Sequence, residues 1–194
     1  GIPISMTDIN GDYTDDLIVL DQGKRLWIGL NSGQGHYFWN NLNAESNSVL
    51  WSVNIADLDR NGYQDIILGG SNDGIKVYYQ YQQGFQKVGL DQSLFFSQSA
   101  TVYDINRDGW MDYTICDDNA KSKVYINRKG ILELDTNLIQ LGLTPSSVEA
   151  GNYGILWSDF DQDGDGDLYI SKCRAGVDNP SDKRRINLYY RNDH

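Results

Sequence analysis

Short stretches in which apolar and polar residues alternate recur along the chain at wide, even intervals. Four and two places before Asp8, Asp57, Asp104 and Asp159 stand Ile4 and Met6, Val53 and Ile55, Ala100 and Val102, and Ile155 and Trp157. All eight are apolar, and three of the four residues between them (Ser5, Asn54, Thr101, but not Leu156) are polar. That period of two predicts a strand with one buried face. Beyond each aspartate lies a polar segment and then a second apolar run: LIVL from Leu17, IILGG from Ile66, YTIC from Tyr113 and LYIS from Leu168. Third strands read at Arg25 to Asn31, Ile75 to Tyr81, Lys123 to Arg128 and Ile186 to Asn192. Weaker fourth strands read at His36 to Asn40, Phe85 to Val88 and Ile131 to Leu134, each reached through a glycine-containing turn. The fourth unit shows no such strand.

The polar segments are copies of one another: DINGDYTDD (Asp8 to Asp16), DLDRNGYQD (Asp57 to Asp65), DINRDGWMD (Asp104 to Asp112) and DFDQDGDGD (Asp159 to Asp167). Their first aspartates lie 49, 47 and 55 residues apart. Spacings close to the roughly 40 to 50 residues of a propeller blade, with four antiparallel strands per unit, predict an all-β chain built as one β-propeller repeat array. Its approximate blades are 1–48, 49–96, 97–148 and an incomplete 149–194. Exposed sheet edges at both ends would favour association, so further blades of a longer chain or a second copy are expected partners.

Composition sharpens this picture. The 194 residues carry 16 Lys plus Arg against 27 Asp plus Glu, a formal net charge of -11 that argues against nucleic acid as a partner and for cations. The acids are 24 Asp and only 3 Glu, a bias toward short carboxylates suited to tight loops. No apolar run approaches the ~20 residues of a membrane span, and the first ten residues, GIPISMTDIN, have neither the basic nor the apolar region of a secretory signal.

Each loop places Asp or Asn at its first, third, fifth and ninth positions: Asp8, Asn10, Asp12 and Asp16; Asp57, Asp59, Asn61 and Asp65; Asp104, Asn106, Asp108 and Asp112; Asp159, Asp161, Asp163 and Asp167. Oxygen-only donors alternating along a turn suit a hard cation that takes about 6 to 8 oxygens, and the absence of His and Cys argues against zinc or copper. Three to four structural Ca²⁺ ions are therefore predicted. The seventh residues, Thr14, Tyr63, Trp110 and Asp165, would each contribute a backbone carbonyl. The sixth position calls for glycine, which Gly62, Gly109 and Gly164 supply. The first loop has Tyr13 there, with Gly11 two residues earlier, and is the weakest predicted site. One such loop alone reads equally well as an ordinary Asx turn; four in register between strands weigh for metal. Four Ca²⁺, each adding two charges, would bring the formal net charge from -11 to -3.

With their flanking strands, these loops resemble the FG-GAP/VCBS repeat family over essentially the whole chain; these are the calcium-loop propeller repeats of integrin alpha-subunit heads and many secreted bacterial proteins. Within that family, GILWSDFDQDGDGDLYISKCR and RINLYYRND are most similar to the ASPIC/UnbV-associated secreted proteins, relatives of cartilage acidic protein. The resemblance implies a propeller with calcium between the first two strands of each blade and a role in adhesion or ligand binding. Four repeats, a short fourth unit and Tyr13 depart from the family pattern.

The expected function is a non-enzymatic, calcium-stabilised extracellular module that binds a protein or glycan. It would be secreted or at the cell surface, or in the periplasm or outer membrane of a bacterium. Extracellular loop sites bind calcium only at about 10⁻⁴ to 10⁻³ M and would stand empty in a cytosol. The rival is a carbohydrate-active enzyme, a polysaccharide lyase or hydrolase, or its accessory domain. For that reading the chain offers His36 in GQGHYFWN, and Glu45, Glu133 and Glu149 without a marked partner. Trp51 and Trp157, on first strands, are expected in the core, and the side chain of Trp110 is expected to be exposed. Cys116 and Cys173 are expected as free thiols. The polar insertion CRAGVDNPSDKRR (Cys173 to Arg185) reads either as a solvated loop whose cations balance nearby aspartates or as an anion-binding loop.

Overall fold

A computed structural model describes residues 3–44, 46, 48–139 and 149–192, and the chain divides into two compact units, Gly1–Leu94 and Phe95–His194. In the first unit, β1 (Ile4–Thr7), β2 (Asp16–Asp21), β3 (Arg25–Asn31) and β4 (Tyr37–Asn43) form one antiparallel sheet in chain order. A second sheet follows from β5 (Leu50–Ala56), β6 (Asp65–Gly70), β7 (Ile75–Tyr81) and β8 (Gly84–Asp91). In the second unit, β9 (Ser97–Tyr103), β10 (Asp112–Asp117), β11 (Lys123–Asn127) and β12 (Leu132–Asp135) form the third sheet. The fourth has three strands: β13 (Asn152–Ser158), β14 (Asp167–Lys172) and β15 (Leu188–Tyr190). Among the described residues the helical content is one 3₁₀ turn, Lys183–Arg185. The chain is thus all-β, with one small antiparallel sheet to each sequence repeat.

Within each unit the two sheets stack face to face. Ile18, Leu20, Leu26 and Ile28 of the first sheet pack against Leu50, Ile66, Leu68 and Tyr78 of the second. In the other unit, Cys116, Val124 and Ile126 of the third sheet meet Ile155, Trp157, Leu168 and Ile170 of the fourth. Each fully buried aliphatic side chain of this kind stabilises its unit by about 1.5–3 kcal/mol.

Two expectations about burial need correction. The alternation before the first loop does not mark a buried face: Ile4 and Met6 are 59% and 63% exposed. Their pairing with Val19 and Leu17 puts them on the side of the sheet opposite Ile18 and Leu20, which pack on the second sheet. In the fourth repeat the equivalent Ile155 and Trp157 are buried, and the Trp157 indole N–H donates to Thr114 Oγ1 at 2.9 Å. Trp51 is 38% exposed, not in the core. It sits where the β5–β6 register shifts between Leu50 and Ser52, and this bulge turns its side chain outward. Tyr153 lies at the matching shift of β13 and is likewise exposed.

Candidate metal centre

The loops between the first and second strands of the four sheets share one hydrogen-bond pattern. The first aspartate bends the chain over itself: one oxygen of Asp8, Asp57, Asp104 and Asp159 accepts from the N–H of the fifth residue at 3.0–3.1 Å. Its other oxygen accepts from the sixth N–H at 2.7, 2.9, 2.8 and 3.0 Å, respectively. The fifth residue (Asp12, Asn61, Asp108 or Asp163) then accepts from the seventh N–H at 2.8–3.1 Å. These nested Asx turns point backbone N–H groups at the side-chain oxygens and fold the oxygens toward one another.

The ninth aspartate has a second task that the repeat pattern does not reveal. Asp16, Asp65, Asp112 and Asp167 are fully buried. One oxygen of each accepts from the second residue of its own loop (Ile9, Leu58, Ile105, Phe160) at 2.8–3.1 Å. The other accepts from the N–H of Asn31, Gln80, Asn127 or Asn192 at 2.7–2.9 Å, on or just beyond the third strand. Each ninth carboxylate therefore ties the loop to the third strand of its sheet.

In the second loop, Asp57, Asp59 and Asp65 bring carboxylate oxygens within 4.8 Å of one another; in the fourth, Asp159, Asp161 and Asp163 do the same. The first and third loops have Asn10 and Asn106 at the third position, where the others have Asp59 and Asp161. Crowding has an electrostatic cost. Burial, with Asp59 and Asp57 adding to it, pushes the Asp65 carboxyl up to about 6. Burial also raises Asp112, against the N–H donors of Asn127 and Ile105. Asp167 is held below the usual carboxylate range, chiefly by the Asn192 N–H, with further donation from Phe160 N–H and the Tyr189 hydroxyl. In the fourth loop Arg191 pairs with Asp161 at 3.0 Å and offsets part of the charge. The donor set contains oxygen only, converges, and carries charge that a divalent cation would neutralise, so the residues fit calcium.

The first loop proves to share the backbone of the others. In every loop both the fourth and the sixth residues take a left-handed φ: Gly11 and Tyr13 (+78°, +66°), Arg60 and Gly62 (+56°, +90°), Arg107 and Gly109 (+57°, +85°), Gln162 and Gly164 (+62°, +95°). Gly11 thus fills one of the two left-handed positions, and only the glycine's place is exchanged. Tyr13, 98% exposed, carries the strain that a side chain meets in this region. Trp110 differs from expectation: its side chain is half-buried, beside Asp108, Arg128 and Lys129.

The remaining candidates lie apart from these loops. His36 is exposed in the β3–β4 turn, where its carbonyl accepts from the Ser32 N–H at 2.9 Å. Glu133 pairs with Arg128 at 3.0 Å, Glu149 is exposed, and Glu45 lies outside the described residues. Cys116 is buried and Cys173 exposed, both as free thiols. The three arginines of the insertion are engaged by oxygens of the protein itself. Arg174 donates to the Asp118 carbonyl and carboxylate at 2.8 and 3.0 Å, Arg184 pairs with Asp182 at 2.8 Å, and Arg185 donates to the Val177 carbonyl at 2.6 Å. Sequence reasoning missed one feature entirely, the shielded ion pair of Asp73 and Lys76 at the end of the second sheet away from its acidic loop. No repeat pattern marks it.

A family model described as FG-GAP-like repeat matches three times, over residues 8–68, 57–115 and 104–170. Every match starts at the first aspartate of one loop and runs through the next loop into the strand behind it. No curated protein matches the chain in sequence. Among solved structures it is similar to an Agrocybe aegerita lectin, described by its specific recognition of non-reducing terminal N-acetylglucosamine, with a TM-score of 0.59 and 18% identity. The likeness covers 85% of this chain and 45% of the lectin, and at that identity it concerns the fold alone.

Proposed function

Because the chain belongs to the FG-GAP-like repeat family, we propose that it is a calcium-stabilised, non-enzymatic binding module. It works outside the cytoplasm, with its sheets as propeller blades and a glycan or protein as ligand. The observation that carries this reading is the fourfold recurrence of one acidic loop geometry. Asp57, Asp59, Asn61 and Asp65, with the carbonyl of Tyr63, are the oxygens that would hold calcium in the second loop. Asp159, Asp161, Asp163, Asp167 and the Asp165 carbonyl would do so in the fourth, and the corresponding residues in the other two. Bound calcium would supply charge neutralisation and a crosslink across the turn. The chain's own contribution is to hold the donors in place, through the nested turns and the tie from the ninth aspartate to the third strand.

No step of catalysis enters this reading. The loops are scaffold, and ligand recognition falls to surfaces that differ between repeats; the lectin likeness agrees with a glycan ligand without naming one. The test is a melt with and without chelator, followed by binding assays on neutral glycans and candidate proteins in excess calcium. Chelator-sensitive folding together with saturable binding supports the proposal. Folding indifferent to calcium, or turnover of a polysaccharide, contradicts it.

A further inference from the structure

The second sheet ends, away from its acidic loop, in a cavity of about 480 Å³, within the roughly 300–1,000 Å³ range of small-ligand sites. Its lining is polar, and its charges cancel: Asp73 and Asp91 face Lys76 and Lys87. Asp73 and Lys76 are unusually shielded for charged groups, their side chains only 11% and 12% exposed. The Asp73 carboxylate accepts from both the Lys76 ammonium and the Ser46 hydroxyl, and the ammonium also donates to the Asp73 carbonyl at 3.3 Å.

Two glycines shape the walls. A Cβ on Gly74, whose φ is +69°, would meet the Asp91 carbonyl oxygen at 2.0 Å, so this glycine lets the end of β8 lie against the β6–β7 turn. A Cβ on Gly89 would meet the Gln92 amide nitrogen at 2.6 Å, so Gly89 makes room for the Gln92 side chain to fold back over β8. Leu94, 77% exposed, adds an apolar edge.

We propose that this cavity binds the terminal sugar of a neutral glycan, an assignment that rests on the binding-module reading above. A lining of balanced charge disfavours a net anion, which would meet Asp73 and Asp91, and a net cation, which would meet Lys76 and Lys87. An apolar ligand would strand these polar groups. A sugar hydroxyl both donates and accepts, so it can donate to a carboxylate and accept from an ammonium or the Gln92 amide at once. The C–H face of the ring would lie on Leu94.

The test uses the full chain in excess calcium and a panel of neutral oligosaccharides ending in glucose, galactose, mannose or N-acetylglucosamine, with hits measured by calorimetry. Lys76→Met should weaken the best hit by about tenfold or more, the loss of a hydrogen bond to a charged group. Gln92→Ala, which leaves the Asp73–Lys76 pair intact, should weaken it several-fold while the melting temperature stays unchanged. A hit whose affinity both variants preserve overturns the site but leaves the binding-module reading standing. A wild-type chain that binds no member of the panel overturns both the site and the glycan form of that reading. Binding of zwitterionic free amino acids in place of sugars also overturns it.

Discussion

The two ends of each sheet are built under different rules. At one end, the loop from first to second strand is eight residues long in all four sheets, with the same turns and the same buried ninth aspartate. At the other end, the connection from second to third strand has 3, 4, 5 and 15 residues, and each handles charge in its own way. Asp21 faces Arg25 at 3.9 Å, Asp73 pairs with Lys76, Asp118 with Arg174, and Asp182 with Arg184. Uniform length and recurring Asp or Asn donors indicate one physical requirement met four times, the one that the proposed calcium would meet. Variable length and individual ion pairs indicate a surface free to differ between repeats, where recognition can reside without disturbing the scaffold.

The largest expected effect that tests this contrast is calcium removal. Several sites filled to about ten times their dissociation constants would each contribute about 1.4 kcal/mol, so chelation should lower the melting temperature by about 10 °C or more. Changes at the opposite end, such as Gln92→Ala, should not alter that calcium-dependent shift.

Next comes a comparison inside one loop. Asp65→Ala removes a candidate ligand and also orphans the N–H groups of Leu58 and Gln80. Two unsatisfied donors at about 1–3 kcal/mol each, less the roughly 3 kcal/mol relieved by removing a carboxylate whose burial opposes its charge, predict a loss of at most about 3 kcal/mol in chelator at neutral pH. Asp59→Ala should cost stability mainly when calcium is present. Denaturant unfolding of both variants, with and without calcium, separates the structural tie from the metal-ligand role.

The Asp65 carboxyl also sets a pH dependence for the metal-free protein. Its folded pKa, about 6, lies above the ordinary 3.8, so between those values the folded state holds more protons than the unfolded. In chelator this group's contribution to stability is greatest at acid pH and is lost as pH rises from about 4 to 6, by roughly 3 kcal/mol at most. Denaturant midpoints measured across that window should show this slope in wild type and a shallower one in Asp65→Asn, where the raised Asp112 still contributes.

Smaller effects follow. Tyr13→Gly relieves a left-handed side chain and should stabilise the first unit by up to about 1 kcal/mol, bringing loop one closer to its siblings; an unchanged or lower midpoint would mean Tyr13 is not strained. At the opposite end, Cys173 should be alkylated in the native state. Cys116, whose thiol burial pushes up to about 12, should react only on unfolding, a difference that mass spectrometry reads directly.

Most of the fold is legible in sequence because each strand pairs with its neighbour in the chain, so local periodicity and the loop motif suffice. All four third strands are visible this way, and Arg25–Asn31 and Ile75–Tyr81 keep the bounds the pattern gives them. What escapes depends on contacts the pattern does not encode. Trp51 is exposed because of a one-residue bulge, and Ile4 and Met6 because their face turns away from the second sheet. Gly11 looks misplaced until the fourth loop position is known to be left-handed. The buried role of the ninth aspartate needs the third strand's N–H in view, and the Asp73–Lys76 cavity needs the close approach that Gly74 and Gly89 permit.

The central claim, that the eight-residue ends are cation sites and the variable ends are not, is tested most directly by calorimetric titration of calcium into the metal-stripped chain. The account predicts three or four ions bound at submillimolar to millimolar affinity, with one fewer in Asp57→Ala and one fewer in Asp159→Ala. A titration without binding heat, in a protein whose melting is indifferent to chelator, would contradict it and reduce the acidic loops to Asx turns.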